Sequence, residues 1–190
     1  MKWNKFNLII FVLLILIASL YRVWDGRPWG FAPQIAMAIF GGAVIRDKKW
    51  AVALPLLSMF VSDALYQMLY SKGLTEIPGF YEGQFTNYVL FALLTLFGFL
   101  IRRRRANWKN ILVVSLAAPT AYFIISNFLV WVGGGGYGRP HTLDGLLLCY
   151  NDGLPFYRGS LAGTLFFSVV LFGGYYLIRR YWLHRKQQLA

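Results

Sequence analysis

Long apolar runs separated by short charged clusters set the pattern of this chain. Runs of the length that crosses a bilayer, ~17–25 residues at 1.5 Å each, recur along it. Six can be placed, at roughly 6–24, 32–46, 50–70, 85–101, 110–131 and 160–178. The second is short for a span unless it tilts or the bilayer thins around it. No internal repeat interrupts them, and the one low-complexity stretch is GGGG at 133–136. The pattern predicts an all-α fold: one domain over residues 1–190, an integral membrane bundle of six transmembrane helices. Composition points the same way. The chain is 58% hydrophobic and 14% charged, which is too little charge for a typical soluble domain of this size.

A formal net charge of +12 invites a nucleic-acid reading. The distribution of that charge opposes it, because the basic residues fall between the apolar runs, as the positive-inside rule describes. With both termini inside, 14 of the 19 Lys and Arg residues are cytoplasmic: Lys2, Lys5, Arg46, Lys48, Lys49, Arg102 to Arg105, Lys109, Arg179, Arg180, Arg185 and Lys186. The outer set is Arg22, Arg27, Lys72, Arg139 and Arg158. The expected topology is N-in, C-in, in a cytoplasmic (inner) membrane, with the lipid bilayer as partner and no nucleic acid.

The expected outer loops are 25–31, 71–84 and 132–159. The last, a long outer loop before the final helix, opens with VGGGGYG, a turn-rich hinge. Its second half is apolar. Leu143–Tyr150 suggests a short interfacial helix, and Leu146–Pro155 a lid packed over the mouth of the bundle.

The third apolar run carries the polar residues of most interest. At i, i+3, i+4 spacing, Met59, Ser62, Asp63, Tyr66, Gln67 and Tyr70 share one helix face. Phe60, Val61, Ala64, Leu65, Met68 and Leu69 form the opposite, lipid-like face. Asp63 lies ~10 Å below the outer helix end at 1.5 Å per residue. Gln34 near the start of the second span, and Asn127 and Trp131 near the end of the fifth, fall in the same outer half. Such polar groups often hydrogen-bond one another and hold helices together. A carboxylate at that depth costs ~2.5–3.5 kcal/mol on insertion scales and commonly marks a pathway or pocket. With Arg22 counted in the outer set at the end of the first run, no complementary cation is expected inside a span. The partner of Asp63 is then a loop arginine (Arg27, Arg139 or Arg158), a ligand or a proton.

Enzyme chemistry is not expected. His141, Asp144 and Cys149 lie near one another in sequence but complete neither a triad nor a metal spacing. The single cysteine excludes an internal disulfide. No cofactor and no metal are implied.

FAPQIAMAIFGGAVIRDKKWAVALPLLSMFVSD at 31–63, SNFLVW at 126–131 and GLLLCYNDGLPFYRG at 145–159 resemble a bacterial six-helix membrane-protein family of unknown function. That family is itself similar to the substrate-binding S components of energy-coupling-factor vitamin transporters. The resemblance implies a six-helix bundle whose outer half holds a small-molecule site capped by extracellular loops. It gives weight to Pro33, Phe40, Gly41, Gly42, Pro55, Asp63, Asn127, Trp131 and Pro155.

The functional expectation is a membrane protein that binds or takes up a small molecule. Asp63 supplies charge, Gln34, Gln67 and Asn127 orient the ligand, and Tyr66, Trp131 and Tyr150 cover its apolar surface. A membrane coupling subunit or another membrane protein is the expected protein partner. The alternative is a structural or accessory subunit of a larger inner-membrane complex, with no ligand.

Overall fold

The computed structural model describes residues 5–103 and 107–188. Every regular element is helical: α1 (Lys5–Val23), α2 (Gln34–Val44), α3 (Lys48–Ser71), α4 (Gln84–Arg103), α5 (Trp108–Val132) and α6 (Leu143–Gln188). Among the described residues, four stretches are long and apolar enough to cross a membrane: Lys48–Ser71, Gln84–Arg102, Trp108–Val132 and Leu143–Tyr181. The apolar parts of α1 and α2 are shorter. Of the basic residues assigned to the inside, Lys2, Arg104 and Arg105 lie outside the described residues.

α2 is the centre of the bundle rather than one of its walls. Its 11 residues extend only about 17 Å at 1.5 Å per residue, against a hydrocarbon core of ~30 Å. Residues Gln34 through Gly42 are all buried, enclosed mainly by α3, α4 and α6. Small residues allow this enclosure. A Cβ at Gly98 of α4 would sit 2.7 Å from the Cα of Gly42, and a Cβ at Gly41 would sit 2.7 Å from the carbonyl oxygen of Ala51. Pro55 lacks the N–H that would have bonded that same carbonyl inside α3. Backbones approach closely at small-residue contacts of this kind, as they do in packed membrane helices.

α2 ends inside protein, so its last carbonyls need donors. Arg102 reaches across from α4 and supplies them. Its guanidinium donates to the carbonyls of Gly42 and Ile45, to Ala43 at 3.4 Å and to Arg46 at 3.2 Å.

The segment after α5 departs from the expected long loop. Only residues 133–142 lie between helices, and α6 runs unbroken through NDGLP for 46 residues. Leu147, Leu148, Leu154 and Phe156 are exposed, so Leu146–Pro155 is the first part of a transmembrane-length helix and not a buried lid. The turn signals misled because a proline within a packed helix removes only one hydrogen bond, and neighbouring helices compensate. Glycines let neighbouring segments pack closely on this part of the helix. Gly153 packs on Asn127, and Gly159 and Gly163 pack on the backbone from Trp29 to Ala32.

Cross-helix pairs fix the two ends of the bundle. Arg22 meets Asp63, Asp63 meets Gln84 and Tyr88, and Asn127 meets Gly153, all at the end carrying the α1–α2, α3–α4 and α5–α6 connections. Arg102 and the C-terminus of α2 mark the other end.

Candidate functional site

The polar face expected on α3 is real. Met59, Ser62, Asp63 and Tyr66 are buried, while Phe60 and Met68 on the opposite face are exposed. The face ends near the last turn, where Tyr70 is exposed.

Asp63 is 2% exposed and is satisfied by protein on both oxygens. Oδ1 accepts from Nη1 of Arg22, and the two form an ion pair. Oδ2 accepts from Nε2 of Gln84 at 2.6 Å and from the hydroxyl of Tyr88 at 2.6 Å. The cation is none of the expected loop arginines. Arg22 occupies the last turn of α1, and Ser19 and Arg22 at i, i+3 face α3, Ser19 donating to the Ser58 carbonyl at 2.8 Å. Gln84 and Tyr88, also one turn apart, were missed. The cue available in sequence was their i, i+4 spacing at the start of an apolar run, opposite the depth of Asp63.

The other expected residues disperse. Gln67 Oε1 accepts from the backbone N–H groups of Gly79 and Phe80 at 3.2 and 3.3 Å, tying down the α3–α4 connection. Tyr66 donates to the Arg22 carbonyl at 2.8 Å. Trp131 donates to the Pro140 carbonyl at 2.9 Å and packs edge-on to His141. Tyr150 donates to the Ile124 carbonyl at 3.1 Å. The expected convergence of Asp63 and Gln67 with Asn127 and Trp131 does not form, because α2 and α4 stand between α3 and α5.

A cavity of about 600 Å³ opens at the same end of the bundle. Of the expected residues it takes Gln34 and Asn127 into its walls; Asp63, Tyr66, Gln67, Trp131 and Tyr150 do not line it. Arg22 and Arg27 form one wall. The aromatic walls come from α4, α5 and α6: Phe91 lies against Tyr122 at 5.1 Å between ring centroids, and Phe123 stacks on Tyr157 at 4.6 Å. The polar groups among them are mostly committed. Tyr122 donates to Asn87 Oδ1 at 3.0 Å, Asn87 donates to Tyr81 at 2.7 Å, and Asn127 Nδ2 donates to the Phe123 carbonyl at 2.8 Å.

Gln34 is only half satisfied. Its Nε2 donates to the Ala18 carbonyl at 3.4 Å and to Ser58 Oγ at 3.2 Å. A backbone carbonyl can only accept, which assigns the amide's orientation. Oε1 is then buried without a partner, a condition that costs roughly 1–3 kcal/mol.

Among the described residues, no group of three or more His, Cys, Asp or Glu side chains could hold a metal ion. Cys149 is buried and its thiol lies against the Asn127 carbonyl.

An all-α bundle with four helices long and apolar enough to cross a membrane, and polar side chains turned inward, is compatible with a multi-pass membrane protein. The chain belongs to a family of unknown function (DUF6580), whose model matches residues 2–188. Nothing among curated proteins or solved structures matches it.

Proposed function

We propose that this protein is a multi-pass membrane protein that binds a small molecule in the cavity at the loop end of its bundle, as an uptake component resembling S components would. The observation that carries the reading is the cavity itself. It is of ligand size and lined by aromatic and aliphatic side chains with a few polar groups, which is the composition of small-molecule sites in general. Gln34 and Asn127 add amide side chains to its wall. The positive-inside tally makes this the outer end, open to the side from which an uptake protein collects its cargo.

Native mass spectrometry of the full chain released from mild detergent tests the reading. A retained small molecule is expected, and Ser126→Trp, whose ring would fill the cavity, should lose it. Identical spectra for the two proteins, with no bound mass in either, would sink the proposal.

A further inference from the structure

We infer that the cavity selects a ligand with a planar apolar body and a single anionic group, carboxylate or phosphate, seated on Arg27; this rests on the cavity being a binding site. Charge is the first argument. Arg22 and Arg27 line the cavity, and none of its described lining residues is Asp or Glu. The charge of Arg22 is matched by Asp63 behind it. Arg27 has no acidic partner within ion-pair distance among the described residues, where the only ion pairs are Arg22–Asp63 and Arg139–Asp152. Its Nε donates to the Arg22 carbonyl at 2.6 Å and its Nη2 to Tyr66 at 3.4 Å, both neutral groups. A guanidinium has five N–H donors, so Arg27 keeps most of its fork. The cavity thus presents one unmatched positive charge beside apolar walls, where weak screening strengthens attraction to an anion and repels a cation. The polarity is opposite to the one expected from Asp63 alone.

Shape is the second argument. Gln34 lies at the level of Ser58 and Arg27 at the level of Tyr66 on α3. Eight residues of helix separate those levels, about 12 Å at 1.5 Å per residue. The Phe91–Tyr122 and Phe123–Tyr157 ring pairs line the same cavity. A flat molecule with an anion at its loop end satisfies both features: the aromatic walls and the free fork of Arg27.

Three probes with one ring system separate the charges: indole-3-acetate, indole-3-acetamide and tryptamine. Binding to the full chain in phosphatidylcholine nanodiscs is followed by thermal shift and by titration. The acid should bind about tenfold or more tighter than the amide, the factor that one charge-assisted hydrogen bond provides, and tryptamine weakest. Arg27→Gln should erase the preference for the acid, and Arg27→Lys should retain part of it, which guards against a Gln variant that folds poorly. Nanodiscs containing phosphatidylglycerol distinguish the source of the anion. Arg27-dependent displacement of the acid by that lipid assigns the site to a headgroup phosphate, and no displacement assigns it to a soluble anion. Amide or amine binding as tightly as the acid would overturn the anion inference and leave the cavity reading standing. Binding by none of the three would overturn the anion inference if native mass spectrometry still finds a retained small molecule, and both readings if it finds none.

Discussion

Arg22 and Asp63 face each other across α1 and α3 as a buried ion pair, the carboxylate side chain 3% exposed and the guanidinium side chain 21%. Burial of this kind makes each charge dependent on the other, because desolvation is repaid only while the pair and its extra hydrogen bonds are intact. Tyr88 and Gln84 supply those extra bonds from α4. Three helices are therefore tied at one carboxylate.

Removing one partner should destabilise strongly. Arg22→Met is expected to lose about 3–5 kcal/mol, the usual result of stranding a buried charge. Asp63→Asn should also be costly, since an amide has one accepting oxygen and donors approach Asp63 on both of its own. The double variant Arg22→Met/Asp63→Leu should lose less than the two single changes combined. Unfolding of the purified variants in mixed micelles measures each loss, and strict additivity would show that the residues are not coupled.

Arg102 presents a different dependence at the opposite end. Arg102→Ala should leave the final carbonyls of α2 without donors, costing roughly 1–3 kcal/mol for buried groups. Arg102→Lys should restore little, because an ammonium cannot fork between the carbonyls of Gly42, Ala43, Ile45 and Arg46. The same unfolding assay reads both. Full recovery by Lys would mean that charge, rather than geometry, matters there.

The close approach of α2 and α4 separates two glycines that look alike in sequence. Gly98→Val should be severely destabilising, since even a Cβ there would press on the Gly42 backbone. Gly174 has nothing within 4 Å of an added Cβ, so Gly174→Ala should be neutral or stabilising by about 0.5–1 kcal/mol, the helix-propensity difference. Comparable melting temperatures for the two variants would place α2 against α4 incorrectly.

Orientation in the membrane follows from the charge tally and is open to a direct test. In a Cys149→Ala background, a cysteine at Gly73, in the open α3–α4 connection, should react with impermeant maleimide in intact cells. A cysteine at Asn107, near the basic run from Arg102, should react only after the cells are opened. The reverse pattern would invert the bundle and turn the cavity inward.

The all-α class, the placement of α1 to α5 and the inward face of α3 were legible in the sequence, because burial against neighbouring helices imposes a 3.6-residue period that any long helix displays. The burial of Asp63 was legible for the same reason. Its partner was not. Periodicity ranks the faces of one helix but carries no information about which neighbour stands opposite, so Arg22, Gln84 and Tyr88 emerge only once α1, α3 and α4 are docked. Gln67 and Trp131 left the expected site for a related reason: both sit at helix ends, where nearby loop backbone offers N–H and C=O groups that outcompete a distant cavity. The continuity of α6 through NDGLP also belongs to the tertiary structure. Glycine and proline signal a turn where water can take the freed backbone groups, and signal a packing surface where Gly153, Gly159 and Gly163 let other segments press against the helix. The cavity, with Arg27 unmatched and Gln34 half satisfied, is a property of the space left between helices, and only their packing creates it.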